Sequence, residues 1–143
     1  MVNESRIELY EYVYDLLYNV VTKNVYKMNE PKELNDKDTS EGFLVIRIGD
    51  IYDESEFDQE AFAQVRVFVE AYVPPVSRGR LDKERYTYFE NSISSVVKNE
   101  IQHGTNEHYS IQSDGVLSME GNVDTNANNA YFIYVKSFIV TIQ

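Results

Sequence analysis

The stretch AYFIYVKSFIVTIQ, residues 130–143, constrains the fold more than any other part of the chain, because it is apolar on both parities. Read as a strand over 131–142, it puts Tyr131, Ile133, Val135 and Ile139 on one side and Phe132, Tyr134, Phe138, Val140 and Ile142 on the other. A strand with one solvated face alternates apolar with polar residues. This one does not, so both of its faces need cover.

Two amphipathic helices are available to supply it. In NESRIELYEYVYDLLYNVVTKNVY, Asn3 to Tyr26, the acids Glu4, Glu8, Glu11 and Asp15 form a polar stripe, with Leu9, Val13, Leu16, Leu17 and Val20 opposite. Asn3 or Ser5 is placed to cap it, and the early acids suit a positive helix N-terminus. In LDKERYTYFENSISSVVKNEI, Asp82 is the N-cap candidate, and Tyr86, Phe89, Ile93, Val96, Val97 and Ile101 recur at helical spacing. Gly104 is the stop signal.

Two further segments alternate with period two, the mark of a strand. In FLVIRIG, Leu44, Ile46 and Ile48 share one face and Phe43, Val45, Arg47 and Gly49 the other. In AQVRVFVEAYV, Val65, Val67, Val69, Ala71 and Val73 oppose Gln64, Arg66, Phe68, Glu70 and Tyr72, and Pro74-Pro75 ends the run. Tyr109–Gln112 reads as a strand, Ser113-Asp114-Gly115 as a turn or bulge, and Val116–Glu120 as its continuation. Residues 27–42, 50–60 and 121–130 read as loops, and the first two are expected to be less ordered than the strands beside them. The sum is a single α+β domain over 1–143 in α-β-β-α-β-β order. Its mostly antiparallel sheet has four to five strands, with two helices packed on one face.

Composition narrows the function classes. A net charge of −11 argues against a non-specific DNA or anionic-membrane binder, which needs a basic footprint. With no cysteine there is no disulfide, thiolate nucleophile or Cys-bound zinc. No basic-then-apolar leader opens the chain, and no apolar run approaches the ~20 residues that span a bilayer, so a soluble intracellular protein without membrane contact is expected.

The chemistry-bearing residues are sparse. His103 and His108 lack alignment and a third His or Cys, so two polar loop residues are favoured over a metal site with Glu107. DTNANNAYFIYV starts like a calcium loop with Asp124, Asn126 and Asn128 but has Asn129 where glycine belongs and Val135 where the bidentate Glu belongs. A hairpin loop is the better reading. Asp50, Asp53, Glu54, Glu56, Asp58 and Glu60 form an acidic surface candidate, most simply a solvated loop. Arg78 and Arg80 flank Gly79 in a turn before a helix, able to grip an acidic group. No reaction motif is present, so no catalytic residue, cofactor or metal is assigned and the chain is read as a non-enzyme.

The sheet face away from the helices carries more. With Ile133, Val135 and Ile139 placed inward, that face shows Arg47, Arg66, Phe68, Tyr72, Phe132, Tyr134, Lys136 and Phe138. Large aromatics with cations are what interfaces favour, so these eight residues form the candidate subunit interface. Since the two helices cover only one face, a neighbouring subunit is expected over the other. On this reading Phe138→Asp yields a folded monomer that no longer assembles.

The order of a leading helix, NVYKMNEP, the FLVIRIGD strand, the AQVRVFVEAYV strand and the helix from LDKERYTYFENSISSVV resembles the small tail-terminator and tail-completion (neck) proteins of long-tailed bacteriophages. The resemblance covers most of the chain and is one of order and pattern, without a signature motif. It implies a virion structural protein assembled in the host cytoplasm. It further implies a homo-oligomeric ring, commonly hexameric, at the head–tail junction or tail end. Such a ring contacts other neck or tail proteins and lets DNA pass without sequence-specific binding. An acidic lumen fits that role, and Arg47, Arg66 and Lys136 would then pair with acids of neighbours. Two other classes stand beside it. One is an acidic DNA mimic that inhibits a DNA-binding enzyme, and the other an enzyme whose site forms only between subunits.

Overall fold

A computed structural model describes residues 2–29, 31, 35, 40–53, 63–76, 79–104, 108–113, 119–125 and 129–142. Helix α1 spans Val2–Leu17 and buries Leu9, Tyr10, Val13 and Leu17. It stops well short of Tyr26, since Asn19 takes a positive φ of 64° and Tyr18 bridges to Thr22. Val20, expected on the helix's apolar side, is therefore exposed, and Val21 points inward instead.

Strands β1 (Val25–Lys27), β2 (Phe43–Asp53) and β3 (Ala63–Val73) follow, then α2 (Lys83–His103), β4 (Tyr109–Ser113), β5 (Met119–Thr125) and β6 (Asn129–Ile142). The Asp82 carboxylate caps α2 by accepting from the Arg85 backbone N–H at 3.1 Å. At the far end Gly104, at φ 47°, donates its N–H to the Glu100 carbonyl. The buried stripe of α2 is Phe89, Ile93, Val97 and Glu100, while the expected apolar member Ile101 is exposed.

The sheet runs β1-β2-β3-β6-β4, with β5 also on β6. Ser113 stands opposite Phe138 and Met119 opposite Val135, so β4 and β5 lie end to end along one edge of β6 and the sheet is five strands wide. Its pairs are antiparallel except β1 with β2. Both helices pack on one face, where Val65, Val67, Val69, Ala71 and Val73 join α1 and α2 in a single core.

Three expectations are corrected here. Val25–Lys27, read as helix and loop, is a strand. Residues 121–130, read as a loop, are mostly the facing strands β5 and β6, from Gly121↔Ile133 to Thr125↔Asn129. Asp50 and Asp53 belong to β2. Most of 30–39, all of 54–62, and 114–118, where a turn or bulge was expected at Asp114-Gly115, lie outside the described residues.

The parallel pair has a clear local cause. Asn24 is buried, with its Nδ2 donating to the Gly42 carbonyl at 3.1 Å and its own carbonyl accepting from Leu44 N–H at 2.8 Å. One asparagine thus ties the start of β1 to the start of β2 through side chain and backbone together.

Candidate functional site

The expected interface divides between the two faces of the sheet. Register decides it: Phe138 pairs with Val67, Tyr134 with Ala71, Lys136 with Val69 and Phe132 with Val73. Directly paired residues share a face, so these four lie on the helix-covered side. Phe138 and Tyr134 are buried in the main core and Phe132 packs against it. The parity assumed for β6 is reversed, because its few polar residues, among them Lys136, Ser137 and Thr141, fall on both parities and do not fix which face is buried.

Arg47, Arg66, Phe68 and Tyr72 do occupy the other face. There Tyr72 is buried and stacks on Phe43 at 4.7 Å between ring centroids, with Tyr131 edge-on to Phe43 at 5.6 Å. Val45 and Ile133 complete this second buried cluster, and Tyr26 and Val135 pack on it. The cover needed by the second side of β6 thus comes, over this half, from the chain's own aromatics. Arg47 also finds its acid within the chain: its Nε donates to Glu70 Oε1 at 2.8 Å, and the Tyr72 hydroxyl donates to the same oxygen at 3.1 Å. Phe68 is half-buried and Arg66 exposed.

Asp50 and Asp53 lie on β2; Glu54, Glu56, Asp58 and Glu60 are outside the described residues. His103 ends α2 and His108 precedes β4, both exposed, and the described residues contain no group of three or more His, Asp or Glu able to hold a metal ion. Asp124 and Asn129 are strand positions of β5 and β6, opposite Ala130 and Thr125 respectively, while Asn126 and Asn128 lie outside the described residues, as do Arg78 and Glu107. Arg80 is exposed in the turn before α2.

Two features escape a reading by pattern. The first is Glu100, buried where helical spacing calls for an apolar residue. The Tyr12 hydroxyl donates to its Oε1 at 2.6 Å, and the Tyr12 ring stacks on Tyr109 at 4.6 Å. Burial, then the Glu100 carboxylate, push the Tyr12 phenol well above the ordinary tyrosine range. Burial, then Glu8, push Tyr109 up. A tyrosine whose folded pKa is raised holds its proton longer when folded, so its share of stability is full below about pH 10 and is lost as pH rises further. Melting temperature is therefore expected to fall on the alkaline side. Tyr12→Phe should flatten that fall and cost about 1–3 kcal/mol at neutral pH, because Glu100 loses a donor. Thermal melts between about pH 7 and pH 11 check both effects.

The second feature is a cleft of about 380 Å³ between the 19–24 turn and the start of α2. Its walls include Val20, Lys23, Glu41, Arg85 and Tyr88, and its floor includes the buried Val21, Asn24 and Phe89. The Tyr88 hydroxyl bonds the Val21 carbonyl, and Arg85 Nη1 donates to the Glu41 carbonyl at 3.0 Å, which braces both walls. The cleft mixes charges of both signs on its walls, Lys23, Arg85 and Glu41, with Asn24 beside Val21 and Phe89 on its floor. The residues that form it come from three places in sequence, the 19–24 turn, Glu41 and the first turns of α2, and no local motif announces it.

No known protein-family model matches the chain, and no curated protein sequence matches it significantly. No helix among the described residues is long and apolar enough to cross a membrane.

Proposed function

We propose that the protein is a structural virion subunit of a long-tailed bacteriophage. In this reading it assembles as a homo-oligomeric ring, at the head–tail junction or tail end, that terminates or connects the tail tube and lets DNA pass. The order of elements carries the reading. The leading helix, the apolar strand β2, the V-x-V-x-V strand β3 and the second helix come in that order, with the short β1 before β2 and three strands, β4, β5 and β6, after α2, all six strands in one mostly antiparallel sheet. That is the order on which the resemblance to the tail-terminator and tail-completion proteins rests. The net charge of −11 supports it, since an acidic passage lets DNA slide without binding. Neck and tail proteins are the partners that follow.

A DNA mimic is the second reading, favoured by the exposed row Glu8, Glu11 and Asp15 on the outer face of α1. One of these, Glu11, already faces Lys27 at 2.5 Å. Light scattering and negative-stain images of the purified chain separate the two. Ring-shaped particles are expected; a monomer or dimer that captures a DNA-binding enzyme would replace the ring by the mimic.

A further inference from the structure

We propose that β4 pairs antiparallel with β4 of a second copy of the chain, about a two-fold axis perpendicular to the sheet, so that two sheets join into one. The inference is independent of the ring reading, which a two-fold pair neither needs nor forbids. A free strand edge presents unpaired backbone N–H and C=O groups, and proteins guard such edges with short strands, charges, proline or distortion. Among the described residues the sheet has three edge strands, and two are guarded. Strand β1 is three residues long and carries Lys27. Its Lys27 carbonyl points away from β2, because the Met28 N–H of the same peptide reaches the Ile46 carbonyl, and it accepts from the Asn29 N–H at 2.9 Å. Strand β5 has Glu120, Asp124 and the strand-weakening Gly121 in its sequence. Strand β4, Tyr-Ser-Ile-Gln-Ser, has no charge, proline or glycine, and β6 is its one strand partner among the described residues.

The occupant follows from the strand's own pattern. Tyr109 and Ile111 are buried in the core under the helices, and Ser110 and Gln112 are exposed on the other face. A two-fold axis through Ile111 sets that residue against Ile111 of the second copy. It sets Tyr109 against Ser113, and Ser110 against Gln112, of the second copy. The faces then match: isoleucine meets isoleucine on the helix side, and a hydroxyl meets an amide on the other. A contact about a two-fold axis needs this self-complementarity. Charge agrees. With a net charge of −11, two copies repel over most of their surfaces, but β4 itself bears no charge. Glu8 is the acid that acts on Tyr109. The two Tyr109 residues stand about 13 Å apart along the paired strands, at the strand rise per residue. That separation exceeds the screening length of about 8 Å at physiological salt, so the two Glu8 carboxylates do not oppose the pairing.

The test uses the full chain and two double variants at the exposed positions of β4, with circular dichroism to confirm that each is folded. Ser110→Lys with Gln112→Lys sets like charges opposite each other in the pair. Ser110→Lys with Gln112→Glu sets opposite charges there. Native mass spectrometry and sedimentation should find the wild type in assemblies of even number, a dimer at the least. The like-charge variant should dissociate about tenfold more readily, and the opposite-charge variant should pair at least as well as the wild type. The β4 amides should exchange slowly in the wild type and fast in the like-charge variant. An assembly that the like-charge variant keeps at wild-type mass and affinity overturns the β4 contact and leaves any ring standing. Loss of pairing in both variants overturns the register through Ile111. A wild type that is monomeric at every concentration overturns the second copy as occupant and leaves the edge to an extended segment of another protein. A dimer with the expected response to charge but no ring images supports the β4 pair and removes the phage ring alone.

Discussion

Phe138→Asp should abolish folding, leaving a chain with no cooperative thermal transition and no native β signal by circular dichroism. Phe138 is 1% exposed, faces the helices and pairs with Val67 in the middle of the sheet. Removing a core phenylalanine costs about 3–5 kcal/mol. Placing an unpartnered carboxylate there adds a desolvation penalty of several more. Domains of this size have only about 5–15 kcal/mol in total. Phe68→Asp, at a half-buried position on the opposite face, is the matched control and should melt cooperatively. A Phe138→Asp protein that stays folded as a soluble monomer would show that β6 turns this side chain outward after all.

Gly42→Ala should be the most damaging of the glycine-to-alanine changes at Gly42, Gly49, Gly79 and Gly104. Gly42 sits at φ +88°, and a Cβ there would lie 2.4 Å from the Tyr72 carbonyl oxygen and 3.1 Å from Pro74 Cδ. The backbone conformation alone costs a side chain about 1–2 kcal/mol. The contact with backbone cannot be relieved by a rotamer, and overpacking of this kind costs about 1–3 kcal/mol more. A loss of roughly 3 kcal/mol is expected in urea melts. Gly79 is also at positive φ, 74°, but has open space around it, so Gly79→Ala should show only the smaller conformational cost. Equal losses at both positions would mean that β2 shifts to make room beside Tyr72.

Much of the architecture was legible from periodicity, and the reasons for the misses are physical. The valines of β3 and the Asp82 and Gly104 signals of α2 stand in their expected roles, because burial pattern and capping are local properties. The faces of β6 were not legible: a run with large apolar residues on both parities fits either orientation. The cover of its second face comes from Phe43, Tyr72 and Tyr131, which lie far apart in sequence. The strand β1 is only three residues long and is held by Asn24, whose role depends on Gly42 eighteen residues away. Glu100 broke an apolar stripe because Tyr12, on the other helix, supplies its hydrogen bond. The cleft was invisible for the same reason, since its walls meet only after the helices are docked.

The pairing of β3 with β6 has a consequence for how the molecule reaches this state. Ala63 faces Ile142 and Val73 faces Phe132, so the central seam of the sheet joins segments separated by a helix and two further strands. Such distant contacts demand that a long loop close before they return any energy, and they slow folding. During synthesis, β2 and β3 emerge and pair while β6, last of the described elements, is still missing. Until it arrives, one edge of β3 and the valine face beside it are open to other nascent chains. A strand edge in that state is where aggregation starts. Folding of this protein on the ribosome is therefore a wait for one strand, and shielding by a chaperone should raise its soluble yield more than a slower rate of translation would.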